Sequence, residues 1–210
     1  MIHKPNKTMK TKLTVLAFVA AASAVLAAPQ KFDFKDPKGI NNAGFKLDAP
    51  LESINGSASG VYGTVTFDPE NPGATKGKIT VATASLIVPN PLQRQHMLGD
   101  KWLDAARFPT IVFEAKEFQN VQTAGDTTTA DVTGTFTLKG VSKELTVPVK
   151  LTCLKDKLGE RVPGQKGDLL VIRSNFTIKR SDFNINPGQF EDKVSDAIEI
   201  NLSIAGASPK

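Results

Sequence analysis

The stretch "TADVTGTFTLKGVSKELTVPVKLTC", Thr129 to Cys153, decides the fold. From Thr129 to Lys139 every odd position is polar, and the even positions are Ala130, Val132, Gly134, Phe136 and Leu138. Beyond the turn "LKGVSK" the phase reverses. Leu145, Val147, Val149, Leu151 and Cys153 are apolar, with Glu144, Thr146, Lys150 and Thr152 between them. A period of two puts one face of a strand in water and the other in a core. That is the habit of antiparallel sheets. Pro148, on an outward position, argues for an edge, a bulge or a barrel rim there, because it cannot donate to a ladder.

Outward from this hairpin the pattern repeats. Ile198, Ile200, Leu202 and Ile204 alternate with Glu199, Asn201 and Ser203. Less regular runs cover 43–47, 61–67, 79–88, 110–118 and 170–179, and "FDF" at 32–34 adds a short first strand. The segments "DPENPGATKG", "TAGDTT" and "DKLGERVPGQKGD" supply turn chemistry between them. One stretch interrupts the strands, at about 90–108. Leu92, Gln95, His96 and Leu98 fit a short helix, and Asp100 can cap a second turn carrying Trp102 and Leu103. The expected fold is all-β, an extended eight-stranded antiparallel barrel with a short helical excursion. Such a barrel is either filled by side chains or holds one small ligand. The inward glycines fit both: they let large residues interdigitate, or they leave a tunnel that Gly134→Phe would block.

Residues 1–27 read as a signal peptide: "MIHKPNKTMKTK" is basic, and "LTVLAFVAAASAVLAA" is apolar with small residues at its end. The apolar run is shorter than the roughly 20 residues a spanning helix needs, so cleavage after Ala27 is expected, leaving 28–210 as one domain. The expected location is periplasmic or secreted. The full chain carries 26 basic and 21 acidic residues, net +5. Removing Lys4, Lys7, Lys10 and Lys12 leaves 22 against 21, so no basic footprint for nucleic acid remains. Cys153 is the sole cysteine and, on an inward phase, reads as a small buried hydrophobe.

Enzyme signatures are scarce. With one His in the mature chain, a multi-His metal site is not available, and neither a metal nor a cofactor is expected. No G-x-S-x-G, P-loop or G-x-G-x-x-G occurs. A Ser-His-Asp arrangement on His96 with Ser174 or Ser181 would have to be built in space.

In order and spacing, "GTVTFDPENP", "RQHMLGDKWLDAARFPTIVFEA", "TGTFTLKGVSKELTVPVKL" and "IKRSDFNI…VSDAIEINLSIAGA" resemble the YceI-like family, over about Lys31 to Ala205. The resemblance implies a lipocalin-like barrel, typically exported, that holds a long isoprenoid or other lipid tail in an apolar tunnel. It implies a wall built from Phe45, Val65, Phe67, Ile111, Phe113, Val132, Phe136, Leu138, Phe176 and Phe183. From the excursion it adds Met97, Leu98, Trp102, Leu103 and Phe108, with Trp102 either wall or end plug. Two positions depart from the family pattern. Asn41-Asn42 replaces a His-Ser pair, which puts the polar contacts at one tunnel end in doubt. Asp182-Phe183-Asn184 replaces Asp-Phe-Gly, a change Asn tolerates because it adopts the left-handed backbone. The implied function is carriage of an isoprenoid or other long-tailed amphiphile without catalysis, leaving room for transient membrane contact and a homodimer. The competing readings are a ligand-free interaction or stress module acting through its surface, and a lipid hydrolase using His96.

Overall fold

The computed structural model describes Met1 and residues 28–210; the expected signal peptide lies outside the described residues. Eleven strands follow in chain order: β1 (Gln30–Asp33), β2 (Asn42–Asp48), β3 (Ser53–Ala58), β4 (Val61–Phe67), β5 (Lys76–Ala82), β6 (Leu86–Ile87), β7 (Thr110–Ala124), β8 (Thr127–Leu138), β9 (Val141–Leu154), β10 (Gly167–Lys179) and β11 (Ala197–Pro209). They form one antiparallel sheet that closes through β1–β4–β5–β7–β8–β9–β10–β11 and back to β1, and β2, β3 and β6 continue from β11. Eight staves therefore make the barrel, and three of them are broken: β1 from β2, β3 from β4, and β5 from β6. The hairpin that sets the phase behaves as its alternation requires. Along β8 the even residues from Thr128 to Leu138 are buried and the odd ones are not.

Closure rests on few contacts. Only Asp33 and Ala207 pair between β1 and β11, whereas β2 pairs with β11 from Lys46↔Glu199 to Asn42↔Ser203. The break between β1 and β2 is bridged by Asn41, which is 1 % exposed. Its Nδ2 donates to the carbonyls of Ala205 and Phe34, each at 3.1 Å, and its Oδ1 accepts from Ala205 N–H at 2.8 Å. The carboxamide thus substitutes for the peptide unit that the strand lacks there. Arg161, in the short helix α2 (Leu158–Arg161), donates to both Asn41 Oδ1 and Asp36 Oδ2. α2 is a single turn inside "DKLGERVPGQKGD", a segment whose Gly and Pro residues signal only a loop. At the same end Asp168 accepts from Gln30 Nε2 at 3.0 Å and pairs with Lys210 at 2.9 Å, tying β1 to β10 and the chain end.

The interior is unevenly filled. Phe32, Phe34, Val65, Phe67, Leu151 and Leu170 form a dense core at the closed end, and Cys153 joins them as a buried thiol. Burial, with the nearby Asp168 carboxylate, pushes that thiol's pKa up. Toward the other end a second cluster gathers Phe136, Leu138, Ile178, Phe183 and Ile185. Pro148 marks where two staves part. The β9–β10 ladder stops at Val149↔Ser174, and Ser174 Oγ donates to Pro148 O at 2.6 Å. Phe183 and Ile185 cluster with Val141 and Leu145 of β9 and Ile178 of β10, wedged where those strands diverge.

The helical excursion is half helix. α1 (Pro91–Leu98) starts on Asn90, whose side chain accepts from the N–H groups of Leu92 and Gln93. Residues 99–108 then run as successive turns instead of the expected second helical turn. Asp100 caps only the next N–H, that of Lys101. Arg94 ties α1 back to the barrel by donating to the carbonyls of Leu86 and Ala84. β3 escaped the sequence reading because "SINGSA" offers one large apolar residue and no alternation.

Two expectations follow. Asn41→Ala leaves three backbone groups without partners and should cost about 2–4 kcal/mol in urea unfolding, with no change in far-ultraviolet circular dichroism. Burial pushes the Asp36 carboxyl up, but the N–H groups of Asn41, Ile40 and Lys38 and the Arg161 charge outweigh it and hold its pKa below the ordinary aspartate range. For Asp168 burial is likewise outweighed, by Asp156 N–H, Lys210 and Gln30. A depressed folded pKa means stability that is full above the unfolded value and fades as pH falls through the folded one. Urea midpoints measured from pH 5 down to pH 2 should therefore fall less steeply in Asp36→Asn than in the parent.

Candidate binding cavity

Between the two packed clusters lies a cavity of about 420 Å³, within the roughly 300–1,000 Å³ of small-molecule pockets. Its wall is built from the inward phases of the staves. Along β11 those residues are Ile198, Ile200 and Leu202, each half-buried, whereas Ile204 at the closed end is fully buried. Phe45, Ile79, Val81, Phe113 and Phe176 are half-buried for the same reason: they face open space and have no packing partner on that side.

Of the residues expected in the wall, Phe45, Val65, Met97, Trp102, Leu103, Ile111, Phe113, Val132, Phe136, Leu138 and Phe176 line this cavity. Phe67, Phe108 and Phe183 do not. Phe67 has the inward phase but sits in the dense closed-end core, 2 % exposed. Phe108 precedes β7, and its ring covers Gly140 at the β8–β9 turn with the Arg107 guanidinium 5.2 Å from its centroid. Phe183, 1 % exposed, lies behind Phe136 with ring centroids 5.5 Å apart. Leu98 also stays outside the wall. The inward glycines leave no tunnel either. A Cβ on Gly134 would stand 2.6 Å from the Phe113 ring and from Glu114 O, and one on Gly63 would stand 2.1 Å from Lys78 O. Gly134→Phe would therefore disrupt packing and not block the cavity.

The exposed lining residues mark the open end. His96 comes from α1, Glu52 from the β2–β3 turn, and Phe190 and Lys193 from the loop 184–196. That loop is folded over the end by one side chain that the sequence reading passed over. Arg180, 1 % exposed, donates from Nε to Ser195 O at 3.2 Å and from Nη1 to Ile185 O at 2.7 Å and to Asn186 O. Its Nη2 donates to Gln189 O and to Val194 O at 3.1 Å. All five N–H groups of the guanidinium are thereby spent on loop carbonyls. The signal was in the alternation: after Ile172, Ser174, Phe176 and Ile178, position 180 continues the inward phase with a charge.

The loop is itself unusual backbone. Asn184, Asn186, Gly188 and Phe190 all have positive φ. Asn184, at φ 55°, adopts the left-handed turn expected of it. Phe190, at φ 60°, is a bulky residue in a region such residues rarely occupy. Its ring lies 6.0 Å from that of Trp102, over which Arg180 stands at 5.9 Å. Asn186 Nδ2 reaches Lys101 O, and Leu51 N–H reaches Asp192 O, so the loop is tied to both neighbouring segments of the rim.

The Asn41-Asn42 departure does not touch this end, because Asn41 is spent on closing the barrel. The two serines named as partners for His96 are engaged elsewhere. Ser174 donates to Pro148 O, and Ser181 donates to Asp196 Oδ2 at 2.8 Å. Among the described residues no group of three or more His, Cys, Asp or Glu side chains is placed to hold a metal. Arg180→Lys, with three donors for five carbonyls, should cost roughly 2–4 kcal/mol. It should also speed amide exchange selectively over 184–196, while β8 and β9 remain protected.

The sequence is 30% identical to a UPF0312 protein of Pseudomonas paraeruginosa over 196 residues, 91% of this chain and 96% of that one. The Campylobacter jejuni YceI protein superposes with a TM-score of 0.62 at 23% identity, over 78% of this chain and 90% of that one. A polyisoprenoid binding domain from Saccharophagus degradans gives 0.61 at 10% identity, over 87% and 100%. These structures share the fold. The YceI-like domain family matches residues 31–205, nearly all the described barrel, and the chain belongs to that family.

Proposed function

We propose that this protein is an exported carrier that sequesters one isoprenoid or other long-tailed amphiphile in its barrel, with no catalytic step. The observation that carries the reading is the half-buried inward wall: a closed barrel whose large apolar residues face about 420 Å³ of unfilled space. Leaving that surface without a partner is costly, and filling it with an alkyl or prenyl tail is favourable. Each methylene buried contributes roughly 0.8 kcal/mol, so about ten carbons contribute about 8 kcal/mol before ordering costs. The related Saccharophagus domain, described as polyisoprenoid binding, supports the same class of cargo. Residues 1–27 support export to the periplasm or the medium, where a free tail of that kind is poorly soluble. Phe190 and Leu51, both exposed at the open end, suit brief contact with a bilayer during loading.

Native mass spectrometry of protein purified from its own host, followed by solvent extraction, tests the reading. The expected result is a discrete added mass that extracts as a prenyl or fatty lipid. A cavity-filling change supplies the control. Ala115→Phe projects into the lined space and should abolish uptake of added prenyl lipid while shifting the melting temperature by only a few degrees. Unaltered uptake in that variant would place the cargo elsewhere.

A further inference from the structure

The open end of the cavity carries an uncompensated charge. Arg180 lines it and is 1 % exposed, yet no carboxylate among the described residues lies within ion-pair distance of its guanidinium. Asp196, whose backbone carbonyl accepts from Arg180 N–H, has its carboxylate engaged by Ser181 N–H and Oγ. Backbone carbonyls satisfy the hydrogen-bonding capacity of Arg180 but leave its net charge in place. A buried cation without a counter-ion is an unfavourable arrangement that an anion nearby relieves. Lys193 precedes Val194, whose carbonyl Arg180 holds; it lines the same cavity and makes no ion pair among the described residues. Glu52 on the β2–β3 turn and Lys193 on the loop are both exposed, where water and salt screen them, so these two opposite charges offset each other at the rim. Arg180, 1 % exposed, is the lining charge that solvent screens least.

From this we infer that the cavity prefers amphiphiles with an acidic headgroup, a carboxylate or a phosphate, seated under the loop 184–196 between Arg180 and Lys193. The inference rests on the cavity being a cargo site and specifies which end of the cargo is charged. Arg180 acts there through its field, since its donors are spent, and Lys193 supplies the direct contact.

The test holds the tail constant. Dodecanol, dodecylamine, dodecanoate and dodecyl phosphate, each below its micellar concentration, compete with the neutral fluorescent probe N-phenyl-1-naphthylamine bound to the full mature chain. The two acids should displace the probe at concentrations at least about tenfold below dodecanol, and dodecylamine should be the weakest. Lys193→Glu should reduce the margin of acid over alcohol severalfold, whereas Lys150→Gln, outward on β9, should leave it unchanged. The better of the two acids separates a fatty-acid cargo from a phosphorylated lipid. Equal displacement by dodecanol and the acids, or tightest binding of dodecylamine, overturns the headgroup assignment while leaving the carrier intact. A margin untouched by Lys193→Glu overturns the seat. Failure of all four compounds to displace the probe removes the cargo site itself, and the inference with it.

Discussion

The carboxamide of Asn41 completes the barrel. A closed sheet has no free edges, but this one closes through a strand whose two halves, β1 and β2, are separated by eight residues. Were the gap left unbridged, the part-buried N–H and C=O of Ala205 would lose their side-chain partners. Asn41 satisfies both, and Asp36, Arg161 and the carbonyl of Phe34 hold Asn41 in turn. The dense core of Phe32, Phe34 and Phe67 sits directly beneath this closure, so the sealed end of the cavity depends on it.

The rest of the interior follows from how the staves diverge. At the closed end neighbouring strands are in register and their large side chains meet. Beyond Val149 and Ser174, β9 leaves β10, and Phe183 and Ile185 enter between them. The wall is thereby held apart, and inward residues that would close on one another in a narrower barrel remain half-buried. The apolar wall and the empty space therefore have one cause: a barrel too splayed at one end for its own side chains to fill.

At that end the protein tolerates two costly features, a buried guanidinium without an acid and a Phe in a left-handed conformation. Arg180 holds the loop 184–196, Phe190 lies within it, and both line the cavity. Strain and buried charge persist where the surrounding structure over-determines them, and five carbonyl contacts to a single side chain do that here. A fold optimised only for packing would have used an aliphatic residue at position 180.

The sequence by itself determined the strand phases, the antiparallel class, the eight staves and the turn at Asn184, because each follows from residues adjacent in the chain: a period of two, or one residue's backbone preference. Inward phase, a local property, also identified strand residues such as Val132, Phe136 and Leu138 that line the cavity. Phase does not say how far along the barrel a residue sits. Phe67 and Val65 share a strand, a face and a core cluster, yet only Val65 reaches the cavity as well. Nor could phase show that Phe113 already occupies the space beside Gly134, that Asn41 would act as a missing peptide 164 residues from Ala205, or that Arg180 would gather a loop. Those outcomes depend on which distant segments meet, and only the closed tertiary structure decided them.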